Sequence, residues 1–353
     1  MKNLNKKKIL YVGDYFKGSN ASHRVVIFKK YFKSVNIINY INFTNKLKGL
    51  KKNFFFRYPH GKTLEAINRQ ILNVCEKKNI DLVWFEKPIF IKNETLQYLK
   101  KKKIFTIEYT VDNVFGPRRH SVWRLYKKNL NLFDINLVPR KKNIIDYKKK
   151  FCKKVDYLPL CYFKKLHNLK TNSNKKKIDL SFVGTPYNDR GQVIEDLYLN
   201  YNIKTDINGN CNQWKNKISK KVFDVLKIKK EIYNEQYVKK IQTSKINLSF
   251  TSYDNLDEYP YRLLEIIMSG GFCLHQLNKG GKIQILKNNI ELITFSNSKE
   301  LSNKIKYYLN NASERKKIIR LGRNKIKKLN LDSESRLLFF FKKYQKLILR
   351  DNS

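Results

Sequence analysis

With 353 residues, 41% of them hydrophobic and including 22 Tyr, 22 Phe and 3 Trp, the chain has apolar mass enough for two packed domains of ordinary size, which excludes a globally disordered protein. Its 75 basic residues against 29 acidic ones give a formal charge of +46, yet only 14 of the 75 are arginine and the lysines run through the whole length. Such a spread reads as compositional bias and argues against a specific nucleic-acid reader, which concentrates arginine on one element; a weak peripheral attraction to an anionic membrane stays open.

The first half alternates short β-branched or aromatic runs with longer amphipathic stretches, the pattern of parallel α/β units. Strands are expected at 8–13, 35–40, 81–86, 104–109, 134–138 and 154–158. Helices are expected at 22–32, 63–77 and 94–102, the second with Leu64, Ile67, Ile71, Leu72, Val74 and Cys75 on roughly one face. The sequence turns polar and aperiodic over 164–177, as a linker does. A second series follows, with strands at 178–183, 203–207, 246–250, 272–275 and 292–295 and lysine-rich helices at 298–309, 313–328 and 333–349. The organisation expected is an N-terminal domain over 1–163, a linker over 164–177, a C-terminal domain over 178–330 and a closing helix over 331–353.

Cys75, Cys152, Cys161, Cys211 and Cys273 stand singly, without the paired Cys/His spacing of a zinc site, and read as thiols of a reducing compartment. The apolar run Ile9-Leu10-Tyr11-Val12 stops at Gly13-Asp14, short of a signal-peptide core, and no stretch has the ~18 apolar residues that span a bilayer. A soluble cytoplasmic protein is expected, touching the inner face of the membrane peripherally if at all.

The first strand ends in Gly13-Asp14, and Gly18-Ser19-Asn20 leads into a helix carrying His23 and Arg24. A glycine turn before a helix can receive an anion or a sugar, because the first helical amides lack internal partners; equally, the Ser or Asn here could simply cap the helix. Gly61-Lys62-Thr63 is not a phosphate-binding P-loop, since the glycine required five positions earlier is Phe56. After the strand at 104–109 comes a loop with Asp112, Asn113, Arg118, Arg119 and His120, at the carboxyl end of a strand, where open α/β sheets bind ligands. Asp112 or His120 could act as a base toward a hydroxyl, with Asp14 and His23 as further candidates; the alternative is a solvated cluster of Asp112 with the arginines.

In the second half, Phe182-Val183-Gly184-Thr185 ends a strand and Asp189-Arg190 opens a helix. Gly184 lets backbone approach a ligand closely and Arg190 can meet a phosphate, although the glycine could merely make the turn. The most informative stretch runs from Tyr259-Pro260-Tyr261-Arg262 through Glu265 to Ser269-Gly270-Gly271-Phe272. A short apolar helix opens near Tyr261 and stops at the paired glycines before a buried strand. Arg262 with the helix dipole can neutralise a diphosphate, and Glu265, three residues on, can accept both hydroxyls of a ribose; the alternative is an i, i+3 salt bridge on a surface helix.

In their order and spacing these residues resemble the CgeB-like glycosyltransferases, within the wider GT-B group. Phe182-Val183-Gly184-Thr185 with Arg190 resembles the opening of the family's C-terminal domain, and Arg262-x-x-Glu265 followed by Ser269-Gly270-Gly271-Phe272 resembles its donor-binding core. The segment 295–309 with Glu314-Arg315 and Gly322-Arg323 resembles its C-terminal helices; Asp81-Leu82-Val83-Trp84 and the loop 112–121 are similar to its N-terminal half. In the wider group two acids with seven residues between them border the donor pocket, and Asp257 stands eight before Glu265, Asp in place of Glu.

The resemblance implies an α/β fold of GT-B architecture: two Rossmann-like domains with a central cleft and C-terminal helices, acceptor recognition on the first domain and nucleotide-sugar binding on the second. It implies no cofactor and no essential metal, the donor being a nucleotide diphosphate sugar, UDP- or GDP-linked. The chain also contains no Asp-x-Asp, the manganese-diphosphate ligand of the other large glycosyltransferase fold. Donor contacts would come from Gly184, Arg190, Asp257, Arg262, Glu265, Gly270 and Gly271, and the acceptor would be a hydroxyl of a glycan or of a lipid-linked cell-surface precursor. Two other classes compete: a polyanion- or nucleic-acid-binding protein without catalysis, motivated by the +46 charge, and a scaffold that keeps the fold without the chemistry.

Overall fold

The computed structural model describes residues 4–116, 121–150, 152, 154–169, 176–277, 281 and 283–348. Contacts divide the chain into two units, Met1–Pro159 with Glu334–Ser353, and Leu160–Ser333.

The first unit runs β1 (Lys8–Gly13), α1 (Asn20–Tyr31), β2 (Ser34–Asn39), α2 (Ile41–Thr44), α3 (Gly49–Arg57), α4 (Gly61–Lys78), β3 (Leu82–Glu86), α5 (Asn93–Lys101), β4 (Phe105–Tyr109), α6 (Arg124–Asn129), β5 (Ile135–Val138), α7 (Lys141–Lys148) and β6 (Val155–Tyr157). The second begins with α8 (Lys164–His167), then β7 (Ile178–Val183), α9 (Arg190–Tyr201), β8 (Asp206–Asn208), α10 (Cys211–Lys215), α11 (Lys220–Leu226), α12 (Asn234–Thr243), β9 (Ser244–Phe250), α13 (Tyr261–Met268), β10 (Cys273–Gln276), β11 (Ile293–Phe295), α14 (Ser298–Asn310) and α15 (Ala312–Lys328). The chain then returns to the first unit with α16 (Ser333–Lys343) and α17 (Gln345–Ile348).

Both sheets are wholly parallel, with strand orders β2-β1-β3-β4-β5-β6 and β11-β10-β9-β7-β8. Counted from its own first strand, the second sheet repeats the 2-1-3-4-5 order of the first. Each therefore has a switch point beside its first strand, between β1 and β3 and between β7 and β9, the place where open α/β sheets bind ligands at their carboxyl ends. This doubled α/β architecture is the one expected from the sequence. The segment 164–167, expected as the start of a linker, is instead α8, which packs against α12 and α13; residues 170–175 lie outside those described.

The central strands are short, buried apolar runs because helices cover both faces. Alternation sorts the side chains of the first sheet: Tyr11 pairs in register with Trp84, and Trp84 lies 5.2 Å from Phe28 of α1 and 6.0 Å from Tyr109. Phe340 and Phe341 of α16 close that layer, Phe341 lying 5.2 Å from Phe32 and 6.1 Å from Phe28. Phe341→Ala should therefore cost the first unit about 3 kcal/mol, read as a lowered urea midpoint at unchanged slope; an unshifted midpoint would show that α16 adds nothing to this core. No helix among the described residues is long and apolar enough to cross a membrane.

Candidate active site

In the second unit the switch point is built by four strand ends. Gly184 follows β7 and Gly209 follows β8, and a Cβ on Gly209 would stand 2.4 Å from the Gly184 carbonyl oxygen, so the two turns touch through bare backbone. The same carbonyl accepts a 3.0 Å bond from the indole of buried Trp214 in α10. Beyond β7, Asp189 precedes α9 and its Oδ2 accepts from Tyr253 Oη at 2.6 Å and from Gln276 Nε2 at 3.0 Å, tying the ends of β7, β9 and β10 together. His275 is fully buried, bonded to Thr251 at 2.9 Å, and held neutral because burial and the charge of Arg190 push its pKa down to about 3.

Two guanidinium groups converge on this turn. Arg190, the first residue of α9, donates from Nη1 to Thr185 O at 3.2 Å and lies 5.8 Å from the Phe250 ring, and its buried Nε has no partner. Arg262, in the first turn of α13, donates to Val183 O and lies 5.1 Å over the ring of Tyr237; its guanidinium carbon would be 3.7 Å from a Cβ on Gly184. Burial first, and the like charge of Arg262 second, push the Arg190 pKa down to about 10. Neither arginine forms an ion pair among the described residues. Two half-buried like charges with no ion-pair partner among the described residues suit an anion.

Glu265 is half-buried one turn along α13, beside Tyr237 and His167 of α8, both of which feel its charge. Arg262 turns away from it toward Val183, so the i, i+3 salt bridge weighed against function does not form. Asp257 is half-buried in the loop between β9 and α13. Gly270 and Gly271, expected beside a base or sugar, lie at the opposite end of α13, about 12 Å from its N-terminus. Gly270 takes a φ of +81°, which ends the helix, and a Cβ on Gly271 would meet Ile241 of α12 at 2.4 Å, so both glycines have a structural reason to be there.

In the first unit the switch point gathers Asp14, Glu86, Lys87 and Asp112. Asp112 pairs with Lys87 at 2.8 Å, both about two-fifths exposed, so this acid sits in a solvated ion pair. The Asp14 side chain is exposed, and its carboxyl is pushed up, partial desolvation first, against the pull of Lys87 and Lys52. His23 is buried in α1 behind this loop, and its neighbour Arg24 makes a buried bidentate ion pair with Glu86, which also accepts from Tyr11 Oη at 3.2 Å. The Arg24–Glu86 pair went unread in the sequence; its signal was an acid closing one expected strand and a base opening the helix after another. His120, with Arg118 and Arg119, lies outside the described residues.

Residues 177–338 match the model of a family described as glycosyl transferase-like. The fold is similar to a glycosyltransferase from Rickettsia africae (TM-score 0.67, 14% identity, 99% of this chain and 100% of that chain) and to Anabaena HepE in complex with UDP-glucose (0.68, 9%, 96% and 99%). It is also similar to a TarM variant from S. aureus in complex with fondaparinux, α-GlcNAc-glycerol and UDP (0.53, 16%, 83% and 59%). No curated protein sequence matches the chain. The architecture is that of the GT-B glycosyltransferases, and residues 177–338 are similar to a glycosyl transferase-like domain.

Proposed function

We propose that the chain is a CgeB-like glycosyltransferase that moves a sugar from a UDP- or GDP-linked donor to a hydroxyl of a glycan or lipid-linked precursor in polysaccharide biosynthesis. The observation that carries this reading is the meeting of Arg190 and Arg262 at the Gly184 turn, neither in an ion pair among the described residues, with Glu265 one helical turn away. The arginines and the first amides of α13 would take the departing diphosphate without a metal, and Glu265 the ribose hydroxyls. UDP-glucose bound to HepE and UDP bound to the TarM variant support a UDP-linked donor. On the acceptor side, Asp14, Asp112, His23 and His120 remain the candidates for orienting or deprotonating a hydroxyl. The protein would work in the cytoplasm, in peripheral contact with the inner face of the membrane. The rival polyanion-binding reading is weaker, because charge spread evenly over a chain does not assemble a pocket at a switch point.

Calorimetric titration of UDP, GDP and CMP into the wild type and into Glu265→Ala, with and without EDTA, tests the donor half. One nucleotide should bind irrespective of EDTA and lose about ten- to a hundredfold in affinity in the variant, the scale of a hydrogen bond to a charged group. Folded protein that binds none of the three would remove the donor-site assignment.

A further inference from the structure

We infer that α3 of the first unit is a docking surface for an anionic lipid bilayer, a reading that rests on the lipid-linked acceptor proposed above and names the element that would meet it. The helix is apolar on both sides. Inward, Phe55 is buried and stacks on Phe90 at 4.9 Å, and Phe56 meets the same ring at 5.2 Å. Outward, Leu50 is 86% exposed and Phe54 55% exposed, and Tyr58, just past the helix end, is 41% exposed. These three stand at i, i+4 and i+8, which places them on one stripe. A helix apolar on both faces is stable when both are covered, and the outer one is covered only at its end, where Arg124 lies 4.9 Å over the Tyr58 ring and His60 meets Phe54.

Charge identifies what covers the outer face. Between Tyr15 and Leu64 the sequence contains no aspartate or glutamate, while Lys46, Lys48, Lys51, Lys52, Arg57 and Lys62 lie in or beside α3 along the chain. All but half-buried Lys52 are exposed, and none of the six forms an ion pair among the described residues. Aliphatic and aromatic tips on a segment rich in exposed cations match the boundary between acyl chains and anionic headgroups. A sugar platform would use the rings of Phe54 and Tyr58 but gains little from Leu50, the most exposed large apolar side chain among those described. The helix also lies on the functional side of the sheet, since Lys52 is close enough to act on the Asp14 carboxyl after β1. A bilayer seated on α3 therefore borders the acceptor-side switch point.

The test is co-sedimentation of the full chain with vesicles of equal parts phosphatidylcholine and phosphatidylglycerol, and of phosphatidylcholine alone, for the wild type, Leu50→Ser/Phe54→Ser and Lys48→Glu/Lys51→Glu. The wild type should partition onto anionic vesicles only, and each double variant should lose about a hundredfold. Nucleotide affinity measured on the same proteins should not change, which separates this proposal from the donor reading. Wild-type protein that binds nucleotide but ignores anionic vesicles would overturn the docking surface and leave the enzyme reading intact. So would a Leu50→Ser/Phe54→Ser variant that sediments like the wild type, because the attraction would then be charge alone; binding to a free glycan that this variant loses while vesicle partitioning stays unchanged would assign the stripe to the acceptor sugar instead.

Discussion

Arg262→Ala should lower kcat/KM for the nucleotide sugar by about a hundred- to a thousandfold, the cost of removing one fixed charge or donor aimed at a developing anion. The apo protein should lose little stability. The variant gives up one bond to the Val183 carbonyl and the stack on Tyr237, but it also removes the like charge that depresses Arg190. Those changes oppose each other, so the thermal midpoint without ligand should move by no more than a few degrees for a net change of about 1 kcal/mol. The rise in midpoint on adding nucleotide, by contrast, should largely vanish. Arg262→Lys should not rescue activity, because a single ammonium group lacks the planar fork needed to hold Val183 O and a phosphate together. Donor hydrolysis without acceptor is the cleanest assay, since it reports the donor half alone. An unchanged kcat/KM in Arg262→Ala would mean that the diphosphate lies elsewhere.

The strands were legible because buried parallel strands are uninterrupted apolar runs, and 8–13 and 178–183 were bounded as the structure has them. Strand order was not legible, since periodicity says which residues are strands but not which are neighbours; the repeated 2-1-3-4-5 order appears only in the fold. Arg262 and Glu265 could be found from three-residue spacing on one helix, whereas Arg24 and Glu86 are 62 residues apart and meet only through β1 and β3. Gly270 and Gly271 follow Arg262 and Glu265 closely in sequence but stand at the other end of α13 from Arg262. The helix α3 has no single apolar face for a period to reveal, because Phe55 and Phe56 point inward and Leu50 and Phe54 outward.

Glu108→Gln should flatten a loss of stability that the wild type suffers as pH rises. Glu108 is fully buried in β4, in register with Phe85 on the face opposite Tyr109, near the hydroxyls of Thr110 and Tyr126. Burial raises its carboxyl from 4.5 to about 8, with Thr110 and Tyr126 pulling the other way. The sign follows from proton counts. Below pH ~4 both folded and unfolded chains hold the proton and the group is neutral in its effect. Between there and pH ~8 the unfolded chain has released a proton that the folded one retains, so stability falls as pH rises, and the fall is complete once the folded group has ionised. A shift of this size corresponds to about 5 kcal/mol across the window. Glutamine keeps the shape and cannot ionise, so urea midpoints of variant and wild type should agree near pH 5 and separate in favour of the variant by pH 9. Parallel curves would show that Glu108 is already charged in the folded state. Because Glu108 lies at the foot of the loop that carries Asp112, its ionisation should reach the acceptor side before global unfolding. In the wild type, acceptor transfer should then decline above pH ~8 while donor binding holds, and in Glu108→Gln that decline should disappear.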